Sequence, residues 1–177
     1  YGGKEIKDLK NYWLPIKTFI GVTKPMGNQL QNVLKKPLGF SDNRRAGNYY
    51  RVLPGNRLSW GRGISAIGNF SRLDLKKAIS KEISYFFPEL INIEIDYVWS
   101  GNMAYASHYM PYVGATKIGN EDKNVFTIMG FGGHGMNTAP GAAKVLADFM
   151  LRKGNKYEVF NKFRRKWNGG LIGPYTV

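Results

Sequence analysis

The sequence predicts an α+β fold: a mixed, largely antiparallel sheet with flanking helices, completed by a C-terminal strand, a glycine loop and a helix. Three stretches carry that prediction. "YYRVLPGNRLSW" at 49–60 reads as a hairpin, with Pro54-Gly55-Asn56 at its turn. "SRLDLKKAISKEISYFFPEL" at 71–90 reads as an amphipathic helix. "VFTIMGFGGHGMNTAPGAAKVLADFM" at 125–150 reads as an apolar strand, a glycine-rich loop and a helix from about Pro140 to Leu151.

The remaining elements follow in order. Residues 4–13 read as a short helix or an irregular lead-in. Residues 18–23 read as a strand ended by Pro25. In the hairpin, residues 49–53 and 57–60 are the strands. The helix at 71–90 has Ser71 as its cap, with Asp74 three residues on to suit a capping box. Leu75, Ile79, Ile83 and Phe86 share one face, and Pro88 ends the helix. "NIEIDYVWSG" alternates Ile93, Ile95 and Tyr97 against Glu94 and Asp96, as a half-buried strand does. "MAYASHYMPYVG" reads as an irregular aromatic segment. A short helix at about 156–166 precedes a glycine-rich tail.

Composition narrows the class. The 177 residues suit one domain or a little more. A hydrophobic content of 43% supports a core, and a chain of this length buries roughly 70% of its unfolded surface. No apolar run approaches the ~18 residues of a membrane span, so no membrane role is expected. There is no cysteine, which excludes disulfides and thiolate ligands. With two histidines, His108 and His134, a His-rich metal site is excluded as well. A cytoplasmic location is the expectation. The first residues, "YGGKEIKDLKN", are polar and do not read as a signal peptide.

The net charge is +14. Such a balance can mark an anionic partner or nucleic acid. Yet the basic residues are spread along the chain, with "LRKGNKYEVFNKFRRKWNGG" the densest stretch, and no nucleic-acid-binding motif accompanies them. A solvated surface is the simpler reading.

The glycine loop is the main chemical signal. Gly130, Gly132 and Gly135 spell G-x-G-x-x-G. Glycines let backbone approach a ligand, and a helix start favours negative charge. A dinucleotide phosphate loop would need a further parallel strand with an acid about 20 residues on. Glu158 lies at that distance, but its neighbours "KYEVFNKFRRKW" read as a charged helix. A plain structural turn and an anion-stabilising loop of another kind therefore both stand, the second ahead.

Taken together, "WSGNMAYASHYMPYVG" and the glycine-loop stretch resemble the C-terminal part of the FAD-dependent amine and amino-acid oxidases of the D-amino-acid oxidase superfamily. "YYRVLPGNRLSWGRG" resembles the γ-glutamylputrescine oxidase branch most closely, and "RLDLKKAISKEISYFFPEL" matches the family helix with its "FP" ending. The order agrees from about Phe19 to the end.

The resemblance implies a division into a substrate-domain portion at 1–120 and a flavin-contacting strand, loop and helices of the FAD domain at 121–177. It implies that the loop lies against the flavin ring rather than the pyrophosphate, through Gly130, Phe131, Gly132, Gly133, His134, Gly135 and Met136. It implies a small-molecule substrate, an amine or γ-glutamyl-polyamine-like compound, with Tyr50 and Arg51 as substrate-binding candidates; an arginine can bind a carboxylate bidentately. No nucleophile–base pair is apparent and the family needs none, so no catalytic side chain is assigned. Two residues depart from the family pattern: His108 before the "x-x-Pro" segment, and Arg62 after Gly61, where it would crowd the flavin face.

The family's N-terminal ADP-binding unit has no counterpart in these residues. With Tyr1 first, the expectation is a C-terminal portion that is inactive without an N-terminal half or partner subunit. Its FAD site would be incomplete. A non-catalytic folded remnant, or an anion- or RNA-binding module, is the alternative.

Overall fold

The structure is a computed structural model that describes residues 6, 9–44, 47–65, 70–118 and 121–162. In chain order the elements are β1 (Trp13–Thr23), α1 (Asn28–Val33), β2 (Gly39–Ser41), β3 (Tyr49–Leu53), β4 (Arg57–Ser65), α2 (Arg72–Phe86), β5 (Ile95–Ala106), β6 (Tyr112–Ile118), β7 (Glu121–Met129), α3 (Gly135–Met150) and α4 (Glu158–Asn161). Five strands form one sheet in the order β2-β3-β4-β1-β5, and β6 pairs with β7. β1 with β4, β2 with β3, β3 with β4 and β6 with β7 pair antiparallel. The α+β class is the observed one.

The chain divides into two compact units, residues 17–101 and residues 1–16 with 102–177. β1 and β5 contribute residues to both.

In the 17–101 unit, α2 covers one face of the sheet. Ser71 caps α2 by accepting the Asp74 N–H at 3.1 Å, and donates to the Asp74 carboxylate at 2.6 Å. Leu75, Ile79 and Ile83 are buried, as their spacing predicts. Phe86 departs from that prediction and is 40% exposed, because the apolar face ends at Ile83 and Phe87 takes the inward place beside Trp60. The core gathers Leu30, Leu58, Trp60, Ile79, Ile83, Leu90 and Ile95. Trp60 is fully buried and stacks on Tyr50 at 4.6 Å, which stacks in turn on Phe40 at 5.3 Å. The pairing of Tyr50 with Trp60 across β3 and β4, and of Phe40 with Tyr50 across β2 and β3, lines the three rings up. Buried Thr23 accepts the Leu58 N–H at 2.9 Å, so this polar group has its partner.

Asp42 fastens the loop before β3. Its carboxylate accepts from Arg44 Nε at 2.9 Å, Arg44 N at 3.0 Å and Asn48 N at 2.9 Å. The Arg44 guanidinium, then the Asn48 N–H, holds the Asp42 carboxyl at about 2, below the ordinary 3.8. A carboxyl depressed on folding adds stability that is complete above the unfolded value and fades as pH falls toward the folded one. We expect Asp42→Asn to lower the melting temperature at neutral pH, with the gap to wild type narrowing between pH 3.8 and about 2. Thermal melts at stepped pH check this; a pH-independent gap would contradict it.

The second unit holds the β6–β7 hairpin, with Tyr112 opposite Met129 and Val113 opposite Ile128. α3 packs Ala142 and Leu146 toward Val113, with Phe126, Ile128, Phe131, Phe149 and Tyr157 around them. Leu9, Trp13 and Tyr112 form a smaller cluster.

Several boundaries differ from the sequence reading. β1 starts at Trp13, five residues earlier than expected. The "MAYASHYMPYVG" segment is largely strand: β5 runs to Ala106, a turn carries Tyr109 at φ 60°, and β6 begins at Tyr112. Its aromatics sit well on pleated backbone, and Pro111 marks the turn's end. Tyr97 is 60% exposed instead of half-buried, since the unit's core ends at Ile95 and Val98. Finally, α3 begins at Gly135, before Pro140. The helix at 156–166 is seen as α4, and its remainder lies outside the described residues.

Candidate functional site

The glycine loop connects β7 to α3. Gly130, Gly132 and Gly133 take φ of 86°, 56° and 88°, a region that favours glycine. Space adds a second demand at two of them. A Cβ on Gly132 would lie 3.3 Å from the Tyr105 ring, and one on Gly133 would lie 3.1 Å from Met103 Sδ. The loop is tied to β5 by the Gly132 N–H to the Ala104 carbonyl at 2.8 Å and by a bridge between Tyr105 and Phe131. It closes on itself through the His134 N–H to the Phe131 carbonyl at 3.0 Å.

His134 is the N-cap of α3, yet its side chain makes no cap. The first turn closes only with Thr138 N–H to the His134 carbonyl at 3.3 Å, which Thr138 Oγ1 also reaches at 2.6 Å. Among the described residues, the N–H groups of Gly133, Gly135, Met136 and Asn137 meet no acceptor. These are the orphan donors of a helix start, where the helix dipole also places partial positive charge.

Gly133, Gly135 and Met136 line an open cleft of about 630 Å³. Asn102, Met103, Ala104 and Ile128 line it with Phe131, Met136 and the loop glycines. None of its lining residues is charged. Met136 is 96% exposed. A cleft of this size lies within the ~300–1,000 Å³ of ligand sites. Apolar walls joined to a row of unclaimed donors suit a flat ring that is greasy on its faces and anionic at one edge.

The sequence candidates are thus brought together at Gly130–Met136. Sequence reading misses the β5 wall, Asn102 to Ala104. Its alternation is masked because Asn102, Met103 and Ala104 carry no clear apolar–polar period. Within the 17–101 unit Arg62 turns to α2, with Nε 2.8 Å from Glu82 Oε2, the oxygen that also accepts from Trp60 Nε1 at 3.2 Å.

Tyr50 and Arg51 lie in the 17–101 unit on a smaller cleft of about 320 Å³ with Gly39, Phe40, Ser41, Tyr49 and Ser59. Successive strand residues face opposite sides. The Tyr50 ring packs in the core stack, and burial, with Asp42 nearby, pushes its hydroxyl pKa up. Arg51 is exposed and meets no carboxylate among the described residues. Ser59 stands directly across from it. Tyr49 covers Gly61, where any Cβ would overlap its ring. Among the described residues, no cluster of acidic, histidine or cysteine side chains could hold a metal ion, and no helix is long and apolar enough to cross a membrane.

Residues 1–149 match the family described as FAD dependent oxidoreductase (DAO). This chain belongs to that family. The gamma-glutamylputrescine oxidoreductase of Escherichia coli (strain K12) is 26% identical over 180 residues, covering 99% of this chain and 41% of the relative. The probable oxidoreductase OrdL of Haemophilus influenzae is 26% identical over 148 residues, covering 83% of this chain and 32% of the relative. Among solved structures, glycine oxidase from Geobacillus kaustophilus superposes with a TM-score of 0.67 at 19% identity, over 94% of this chain and 42% of that one. Fructosyl peptide oxidase from E. terrenum superposes with a TM-score of 0.69 at 11% identity, over 96% and 43%. This member of the FAD-dependent oxidoreductase family therefore spans well under half the length of the relatives it matches. FAD is the family's cofactor.

Proposed function

We propose that this chain is the C-terminal portion of an FAD-dependent amine oxidoreductase acting on a γ-glutamylputrescine-like amine. The observation that carries the reading is the row of unclaimed N–H groups on an uncharged cleft. The similarity to gamma-glutamylputrescine oxidoreductase supports the substrate class. When bound, FAD supplies a two-electron acceptor for oxidation of a C–N bond.

The chain's own residues have electrostatic and positioning tasks. Gly130 to Met136 form the cofactor-contacting set. The N–H groups of Gly133, Gly135, Met136 and Asn137 stabilise negative charge at one edge of the ring. Phe131, Met103 and Met136 supply its apolar walls. Residues 121–177 are the flavin-contacting part and residues 1–120 the substrate-domain portion. Most affinity for a dinucleotide lies in its ADP half. We assign that half to residues beyond these 177, so the chain alone holds FAD weakly and is inactive.

Arg51 binds the substrate's carboxylate, with Tyr50 fixing the strand beneath it. A charge-assisted hydrogen bond contributes about 1.5–3 kcal/mol, so Arg51→Met raises KM about 10- to 150-fold for a carboxylate-bearing amine in the complete enzyme. kcat, and turnover of amines lacking a carboxylate, stay near wild type. Equal losses on both substrates would contradict this role.

The test of the function is a visible absorption spectrum recorded during FAD titration of the chain. A perturbed flavin band with weak affinity is expected, and anaerobic amine should bleach it only when the ADP-binding half is supplied. An unperturbed spectrum at millimolar FAD would support a non-catalytic remnant instead.

A further inference from the structure

We infer that Tyr105 is the positioning residue of the glycine loop: its ring props Gly132 and Gly133 and so fixes the backbone that carries the N–H groups beside the cleft. The inference rests on the flavin-contact reading above. Four observations converge on this one side chain and its strand. The Tyr105 ring would lie 3.3 Å from a Gly132 Cβ, so it already fills the space beneath that residue. The Tyr105 hydroxyl would lie 3.5 Å from a Gly133 Cβ. Tyr105 forms the bridge with Phe131. Its neighbour Ala104 accepts the Gly132 N–H at 2.8 Å.

The mechanics follow from glycine itself. Gly132 and Gly133, both at positive φ, have no side chains to lock them, and glycine backbone is the most costly to order. The loop's own bond, His134 N–H to the Phe131 carbonyl, closes the turn around these two glycines but adds no side-chain packing, which has to come from outside the loop. Tyr105 meets Gly132 through ring carbons Cδ1 and Cε1, closer than its hydroxyl comes to Gly133, so losing the ring costs the loop more than losing the hydroxyl. Met103 acts beside it on Gly133 with a softer, unbranched chain that can yield. Without the ring, the loop gains room toward β5, and the donors of Gly133, Gly135 and Met136 lose their fixed direction.

The test uses the 177-residue chain with Tyr105→Phe and Tyr105→Ala, and two readouts. Amide hydrogen exchange over 130–138 should be unchanged in Tyr105→Phe and about tenfold faster or more in Tyr105→Ala, with α2 unaffected in both. The reduction potential of bound FAD, measured in the flavin-loaded protein, should fall in Tyr105→Ala and hold in Tyr105→Phe, since fixed donors favour the charge of the reduced ring. Unchanged loop exchange in Tyr105→Ala overturns the inference, as does equal damage by both substitutions. Faster exchange with an unmoved potential also overturns it, because the ring would then be mere packing. If wild type binds no FAD, the flavin-contact reading fails, and Tyr105 is judged as the loop's prop by exchange alone.

Discussion

Replacing Trp60 with alanine is expected to destabilise the protein by about 3–5 kcal/mol, the usual cost of emptying a buried aromatic site. Trp60 has no exposed surface and touches most of what holds the 17–101 unit together. It stacks on Tyr50, meets Phe87 edge-on and donates to Glu82. Alanine leaves a void between sheet and α2, and the Glu82 carboxylate keeps only Arg62. Domains are stable by roughly 5–15 kcal/mol, so this single change takes a large share. Urea denaturation measures it. Trp60→Phe should recover most of the loss, since the stacking survives and only the indole donor goes. A loss under ~1 kcal/mol for alanine would mean that the three-ring stack is not the unit's core.

Gly132→Val should have the second large effect, on the ligand rather than the fold. At φ 56° a β-branched residue is strained, and its side chain would press on Tyr105 from 3.3 Å. Left-handed backbone costs ~1–2 kcal/mol and crowding adds about as much again. If the cofactor needs the loop in this shape, about 2–4 kcal/mol lowers FAD affinity roughly 30- to 1,000-fold. Gly141→Ala, on the α3 helix that follows the loop, is the control. A Cβ there meets nothing within 4 Å, so it should raise stability by up to ~1 kcal/mol without touching affinity. Absorbance titration with FAD, alongside thermal melts, separates the two. Equal affinity in Gly132→Val and wild type would remove the loop from the cofactor site.

Local signals explain which parts were legible in advance. The hairpin at 49–60 was visible because Pro-Gly-Asn names its turn, and Asn56 indeed takes φ 51° there. α2 was visible because one cap, Ser71, and one period, Leu75-Ile79-Ile83, agree. The glycine loop was visible as a loop, and its family resemblance pointed away from a pyrophosphate. What stayed hidden was long-range. Nothing near Tyr105 or Met103 in sequence announces that they underlie glycines some thirty residues on; that follows from the bridge to Phe131. Nor does the sequence around Arg62 reveal Glu82, twenty positions away on a different element. The sequence places the start of α3 too late because Pro140 normally marks a first turn. Here it lies inside the helix, where its missing N–H leaves the Met136 carbonyl without the usual donor.

The central claim is that the loop and the start of α3 contact the flavin ring. Its most direct test is an amide-resolved NMR titration of the chain with FAD, which detects even weak binding. The prediction is that the resonances of Gly132 to Asn137, with Met103 and Ala104, shift together and saturably. Shifts confined to other residues, or none at millimolar FAD, would contradict it.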